Sequence, residues 1–489
     1  MKKFIEAMNK YKYSGVNMLL FSKNEILESV SLGYSSLENK TPLSLDNIFR
    51  IASISKIVVA LAIMKLVEEG KIDVEEDIST YLGYKVRNPH FPDDVIKVKY
   101  VMTQTSSISD ANDPVKGYDG VNGPFFHVSL QDLLTNPEYE YYTEKTYLKH
   151  RPGSYFEYSN FGCGILACIV EKVTGKYFTD YIREVVLLPL GLDASFRADE
   201  IVNKDKITSL YYYELDPPKL SRDKDMFVTR VFPRYPLGDN FRGPAGGLFI
   251  SALDLMKIAQ MMMNKGVLNG VEIFKKETID LMEQEAWRGV AEGDGAYKAK
   301  GLQLHLLELD FWPYIGAKGL KGHFGSAYGV MTFMFYTEDF GMIFFCSGTS
   351  SNTRTDGIRS MEYDAFKELF RIYKEKHDPK RALLTEETMQ IVRNFTLDRG
   401  WSKFHTGENL AKSLVLEASE LLELYQWSSE VKDIERLKEE LADVFVYALD
   451  ILDKYNLDIN DIIQKKMEKN AKKYPVEKAF GKSDKYNEL

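Results

Sequence analysis

The sequence predicts a multidomain protein, an α/β (α+β) domain followed by an all-α four-helix bundle. Three observations predict it. The chain has 489 residues, more than one ordinary hydrophobic core serves. Strand-like and helix-like runs mix up to about residue 370, and only helical periodicity follows. Between the two regimes lies KEKHDPKRALL, residues 374–384, charged and containing Pro379, which reads as a linker. The expected domains are therefore residues 1–373 and 385–489.

The elements follow in order. GVNMLLFSKNEILESVSLGYSS (15–36) reads as a hairpin, two β-prone runs broken by SKNE. SISKIVVALAIMKLVEEGKI (53–72) reads as a long, largely buried helix closed by Gly70. YGVMTFMFYTEDFGMIFFCSG (328–348) is a second hairpin turning at TEDFG, and SMEYDAFKELFRIYKEK (360–376) is an amphipathic helix suited to covering the sheet. Beyond the linker, residues 385–400, 408–427, 430–455 and 459–474 read as four consecutive helices. Each opens near a capping residue or an acid and carries an apolar face of period 3.6.

Composition excludes several classes. Hydrophobic residues make up 44% and charged residues 28%, as in soluble globular proteins. A net charge of -9 argues against binding a nucleic-acid polymer, which needs concentrated positive charge. Cys163, Cys168 and Cys346 make neither a disulfide framework nor a zinc-type pair. The N-terminus lacks the continuous apolar run of a signal peptide, and no apolar stretch approaches the roughly 20 residues that span a bilayer. A cytoplasmic protein with no membrane partner is expected.

Two places carry chemistry. In RIASISKIVV, Ser53 stands three residues before Lys56 at the start of the long helix. That spacing puts both side chains on one face, where a desolvated lysine can take the proton that makes a serine hydroxyl nucleophilic. Ser-x-x-Lys alone occurs by chance in many chains. Here it is joined by Tyr158-Ser-Asn160 in PGSYFEYSNFGCG and by His323-Phe-Gly325 in KGHFGSAYG. In order and spacing the three motifs resemble the serine β-lactamase and D,D-peptidase superfamily, and most of all its class C β-lactamase, esterase and D-aminopeptidase-like branch. PLGLDASF and PAGGLFISALDL look like framework segments of that branch, and the likeness covers roughly residues 10–372.

The resemblance implies a β-lactamase/transpeptidase-like fold and a set of roles. Ser53 would be the acylated nucleophile, Lys56 its activating partner, Tyr158 a proton shuttle, and Asn160 a holder of Lys56 and the substrate. The backbone N–H groups of Ser53 and Ser326 would form the oxyanion hole. His323 stands where penicillin-binding members often carry a lysine, which points toward esters, amides or small peptides rather than β-lactams. TQTSSI (103–108) departs from the family's usual Thr-His-Thr-Ser-Gly run.

In LAKSLVLEASELLELYQW (410–427), Leu410, Leu414, Leu421 and Leu424 form an apolar stripe in which Glu417 takes a leucine's place, with Glu420 one turn on. The next helix repeats the anomaly: Glu440, with Asp443 beside it, heads the stripe of Val444, Tyr447 and Ile451. Four carboxylates gathered without cations repel and resist desolvation. A divalent metal resolves the conflict, and Mg²⁺ suits oxygen ligands and phosphates. The two Glu-x-x-Glu and Glu-x-x-Asp runs resemble the signature of MazG-like, all-α nucleoside triphosphate pyrophosphohydrolases, nearest the small dCTP-pyrophosphatase-like members, over residues 385–482.

That resemblance implies that Glu417, Glu420, Glu440 and Asp443 hold Mg²⁺, or Mn²⁺ in its place, and that a nucleoside triphosphate is cut to monophosphate and pyrophosphate. Lys466, Asn470 and Lys473 fall on one helical face, with Tyr474 adjacent, as candidates for the phosphates. His405, Trp401 and Trp427 are candidates for the base. Relatives build such sites in dimers or tetramers, so a homodimer or homotetramer through the bundle is expected. The expected whole is a bifunctional hydrolase. Its rival makes the N-terminal domain a catalytically silent ligand-binding or scaffold module regulating the nucleotide hydrolase.

Overall fold

The structure, a computed structural model, describes residues 1–110, 126–212, 219–230, 233–289, 298–307, 319–349, 351, 358–377 and 386–475. It divides into two compact units, Met1–His377 and Asp378–Leu489. Among the described residues no helix is long and apolar enough to cross a membrane.

The first unit is built on a nine-stranded sheet. In chain order its strands are β1 (Tyr13–Ser22), β2 (Ile26–Ser36), β3 (Thr41–Pro42), β4 (Trp287–Arg288), β5 (Ala299–Lys300), β6 (His305–Leu307), β7 (Leu320–Ala327), β8 (Val330–Tyr336) and β9 (Phe340–Thr349). Their spatial order is β4-β5-β6-β7-β8-β9-β1-β2-β3, every pair antiparallel. The two hairpins expected from sequence are therefore real, and β1 closes against β9 from the far end of the unit, with Leu19 opposite Ile343.

Successive side chains of a strand point to opposite faces, and β1 uses both. Val16, Met18 and Leu20 join Phe4 and Met8 of α1 (Lys2–Met8) and Met361, Phe366 and Leu369 of the amphipathic helix Ser360–His377 in one core. Leu19 and Phe21 join the other core, under α2 (Ser55–Glu68), α3 (Asn160–Thr174) and α4 (Ala252–Met263). A sheet covered on both faces needs continuous apolar runs, which is why these strands read as unbroken hydrophobic segments. With the Ser360–His377 helix as α5, the layering is helix, sheet, helices. One boundary needs correction: α5 runs to His377, so residues 374–377, read as the start of a linker, continue its helix. The rest of that linker, 378–384, lies outside the described residues.

The second unit holds the four expected helices, α6 (Glu386–Asp398), α7 (Gly407–Glu423), α8 (Ile434–Lys454) and α9 (Ile459–Lys473). Thr406 caps α7 by accepting from the Asn409 N–H at 3.1 Å, and Asp433 caps α8 by accepting from Arg436 N–H at 3.0 Å. The α7 and α8 helices pack along one another, with α6 against α8. Among the described residues, Leu410, Leu449 and Leu452 are the buried apolar side chains of this unit.

The close contact that brings α3 to its neighbour depends on a missing side chain. A Cβ on Gly164 would lie 2.2 Å from the Phe241 carbonyl oxygen. Gly164→Ala is therefore expected to destabilise the first unit by about 1–3 kcal/mol, read as a lower midpoint in chemical denaturation with the slope unchanged.

Candidate functional site

Ser53 sits in a short 3₁₀ turn, Ala52–Ile54, and Lys56 in the first turn of α2. Ala52 has φ +53°, a left-handed conformation disfavoured for a residue with a Cβ. Ser55 braces it, donating from its hydroxyl to the Ala52 carbonyl at 2.6 Å and accepting from the Leu248 N–H at 3.1 Å. The bend presents Ser53 to solvent while Lys56 stays fully buried.

The Lys56 ammonium donates to Ser53 Oγ at 3.0 Å, Asn160 Oδ1 at 2.8 Å and the Ala245 carbonyl at 2.9 Å. Three N–H groups thus meet three oxygens, and none of the three is a carboxylate. The Tyr158 hydroxyl donates to Ser53 Oγ at 2.6 Å, and its ring lies 4.8 Å from Lys56 Nζ. Tyr158 and Asn160 are placed by the start of α3, where Ser159 accepts from the Gly162 N–H at 2.9 Å. The four residues taken from the first two motifs therefore form one network, with Lys56 and Tyr158 on the Ser53 hydroxyl and Asn160 on Lys56.

β7 supplies the opposite wall. β6 pairs only with Leu320–Gly322, leaving the edge at 323–327 for the Ser53 turn to lie against. A Cβ on Gly325 would sit 2.6 Å from Ile51 O and 3.1 Å from Ser53 N, which explains the glycine. Ser326 lies exposed on this strand beside the cleft, which holds about 660 Å³ between Ser53, Tyr158, His323, Ser326 and Tyr328. His323 lines the cleft without bonding Ser53; its Nδ1 is hydrogen-bonded to the Phe324 carbonyl, and its buried Nε2 has no partner among the described residues. Burial first, and the Lys56 charge second, hold its imidazole well below the ordinary histidine range, so it is neutral.

Sequence reasoning missed Asp110. Its carboxylate accepts from the Ser159 hydroxyl at 3.1 Å, Asn160 Nδ2 at 2.8 Å and the Phe161 N–H at 2.8 Å. With Nδ2 committed to Asp110, the Asn160 amide must turn Oδ1 toward Lys56. The irregular TQTSSI segment is what delivers Asp110. Gln104 and Ser107 both have positive φ, +60° and +67°, and the only signal in the sequence was that departure from the usual family run. His305 was also missed; its ring centre lies 4.1 Å from that of His323, the two rings tilted by 40°, and it is likewise held neutral by burial, then by Lys300.

In the second unit, carboxylate oxygens of Glu417, Glu440 and Asp443 lie within 4.8 Å of one another. Glu420 is outside that cluster, though close enough to act on Glu417. Burial, then Asp443, Glu420 and Glu440, hold the Glu417 carboxyl above the usual carboxylate range. Glu417 and Glu440 are half-buried and Asp443 is exposed, and Arg436 donates to Glu440 at 3.2 Å. Three oxygen ligands in mutual repulsion fit a hard divalent cation.

The nucleotide candidates are more dispersed. His405 Nδ1 lies 3.4 Å from Asp450, Trp401 packs edge-on against Phe395 with centroids 5.7 Å apart, and Trp427 is 90% exposed beyond α7. Lys466 and Lys473 are exposed on α9, Asn470 is half-buried, and Tyr474 follows the helix with its N–H donating to the Asn470 carbonyl at 2.8 Å.

Comparison with known proteins agrees with both units. Residues 1–362 match the Beta-lactamase family and residues 412–489 the MazG-like family. Protein flp of Staphylococcus aureus (strain MRSA252) is 27% identical over 209 residues, 42% of this chain and 39% of flp. Penicillin-binding protein 4* of Bacillus subtilis (strain 168) is 27% identical over 207 residues, 42% of each chain. The matched stretch thus spans about two fifths of these curated relatives. The octameric penicillin-binding protein homologue from Pyrococcus abyssi superposes with a TM-score of 0.56 at 23% identity, covering 80% of both chains, a likeness of fold.

Two outcomes are expected from this geometry. Asp110→Asn leaves the Asn160 amide free to rotate, so the rate of Ser53 acylation should fall with substrate affinity little changed, by about 1–3 kcal/mol or roughly 5–150-fold. The Glu417 carboxyl, raised in the folded state, costs stability when ionised. That cost is complete above its folded pKa and gone below the 4.5 of a free glutamate. In metal-free buffer the wild-type thermal midpoint should therefore lie below that of Glu417→Gln at neutral pH and approach it on acidification; Mg²⁺ should raise the wild type alone.

Proposed function

The chain belongs to the beta-lactamase family through residues 1–362, and on that premise we propose that it is a bifunctional hydrolase. The observation that carries the first activity is the pair of hydrogen bonds reaching Ser53 Oγ from the buried Lys56 and from Tyr158. In the reactive form, in which the Lys56–Tyr158 pair has given up one proton, Ser53 Oγ attacks the carbonyl carbon of a small ester, amide or peptide, and its own proton passes to that pair as the C–O bond forms. The backbone N–H groups of Ser53 and Ser326 receive the oxyanion. Its collapse breaks the bond to the alcohol or amine, which leaves with the relayed proton. Water then attacks the acyl-serine carbonyl, losing its proton to the same pair and returning Ser53. Asn160 keeps Lys56 in place and faces the substrate, and the neutral His323 offers Nε2 as an acceptor for a substrate donor.

The second activity is hydrolysis of a nucleoside triphosphate, with a dNTP preferred, to monophosphate and pyrophosphate. Glu417, Glu440 and Asp443, with Glu420 nearby, are the residues suited to hold Mg²⁺ or Mn²⁺. Bound there, the cation would polarise the triphosphate and activate water. Lys466, Asn470, Lys473 and Tyr474 are assigned to the phosphates and Trp401, Trp427 and His405 to the base, His405 being oriented by Asp450. The supply of nucleoside triphosphates favours a cytoplasmic location. Val415 and Leu422 stand 65% and 68% exposed on α7, and Leu441 and Phe445 are also exposed on α8. This supports a second copy covering the bundle, in a homodimer or homotetramer.

Full-length protein should release pyrophosphate from at least one NTP or dNTP in Mg²⁺. Chelator and Glu417→Gln should each slow it by about a hundredfold or more. A fluorophosphonate or activated ester should label Ser53, with Ser53→Ala abolishing the label. Repeated failure to label folded protein would return the N-terminal domain to the rival role of a ligand-binding scaffold.

A further inference from the structure

A second cavity lies behind the acyl-transfer cleft. It holds about 100 Å³ and is lined by five arginines, Arg50, Arg197, Arg230, Arg234 and Arg242, against a single carboxylate, Glu171. Rings of Phe196, Phe227 and Phe249 complete the wall. An apolar cavity of about 150 Å³ takes a benzene, so this smaller space suits a short branched chain, not a ring or a peptide.

Its charge is out of balance. Arg197 is matched by Asp199 and Glu200 at 2.8 and 3.3 Å, and Arg234 by Asp180 and by Glu200 at 3.5 Å. Arg242 donates to the Phe126 carbonyl at 2.8 Å. Arg50 and Arg230 have no carboxylate within 4.0 Å among the described residues; Arg50 spends Nε on the Gly246 carbonyl at 3.0 Å and lies 4.7 Å from the centre of the Tyr328 ring, and Arg230 is exposed. Glu171 does not compensate. It is consumed by the Gly238 N–H at 2.7 Å, Asn240 at 3.0 Å and the Phe178 N–H at 3.2 Å, and burial favours its neutral form. Arginines that line a cavity and pair with no carboxylate among the described residues suit an anion there.

The partition between this cavity and the cleft is one run of backbone. Gly243, Pro244 and Gly247 line the cavity, while Ala245 and Gly246 line the cleft. Arg50 lines both. The same run supplies the Ala245 carbonyl that holds Lys56 and the Gly246 carbonyl that holds Arg50.

We propose that this cavity is a second ligand site, for a small organic anion with an apolar body such as a short branched carboxylate, and that its occupancy alters acyl transfer at Ser53 through Arg50 and the 243–247 partition. The carboxylate pairs with Arg50 and Arg230, and the body packs among the phenylalanines.

Calorimetry on the full chain tests the site, with isobutyrate, isovalerate, uncharged isobutyramide and inorganic phosphate as probes. One carboxylate should bind per chain, and isobutyramide and phosphate at least tenfold more weakly. Arg230→Ala, an exposed position that folding tolerates, should weaken carboxylate binding at least tenfold. Ala198→Leu, which fills the cavity, should abolish it. Saturating carboxylate should also change the rate of Ser53 labelling at least threefold in wild type and leave Ala198→Leu unchanged. Absence of binding to folded protein, phosphate binding as well as isobutyrate, or binding indifferent to Arg230→Ala overturns the site; binding that leaves the labelling rate untouched overturns the coupling. Calorimetry does not require Ser53 to react, so an inert serine and an empty cavity give different results.

Discussion

A lysine ammonium buried completely among side chains, with no carboxylate among its hydrogen-bond partners, is the constraint on which the first unit is arranged. An ammonium taken from water must have each N–H satisfied, or the site loses several kcal/mol. Lys56 meets this with three neutral oxygens drawn from three distant parts of the chain: Ser53, Asn160 and Ala245. Satisfying one cation therefore fixes α2, the start of α3 and the 243–247 backbone in mutual register. Of the three oxygens, only that of Ser53 belongs to a hydroxyl, the group suited to nucleophilic attack.

The supports of this arrangement are themselves specified by small steric and polar details. Gly325 lets β7 approach the Ser53 turn to within contact of its backbone. The strained Ala52 is held by Ser55 on one side. Asp110 decides which end of the Asn160 amide faces Lys56. None of these groups reacts, yet each controls where a reacting atom sits, which is the greater part of what a preorganised site supplies.

The second unit sets the opposite electrostatic problem. There, anions are gathered, and Glu417 shows the resulting tension as a carboxyl held above its ordinary range. A proton or a cation relieves it. Few of the unit's side chains are fully buried, and large apolar ones remain exposed on α7 and α8. The first unit, by contrast, closes two cores around its sheet.

Much of this was legible in the sequence because periodicity reports local burial directly. The hairpins at 15–36 and 328–348, the helix after Ser53 and the four C-terminal helices all carry their own apolar pattern, and the three motifs of the first unit stand at helix starts or strand edges that the pattern locates. Glu417 and Glu440 were visible as acids in leucine positions. Asp110 was not, because its role depends on two non-glycine residues adopting left-handed conformations, which no side-chain pattern announces. The Ala245 carbonyl was invisible for a simpler reason: every residue has one. The helix running on to His377 erased part of a linker that composition alone suggested.

By itself, the sequence determined which segments become strands and helices and that two units share the chain, and it singled out side chains suited to chemistry, since those follow from residue type and local spacing. Only the tertiary structure decided that Lys56 is satisfied without an acid, that Asp110 orients Asn160, that Glu420 stands apart from the other three carboxylates, and that one backbone run divides two cavities. Those are facts about distances between residues far apart in the chain, and packing alone sets such distances.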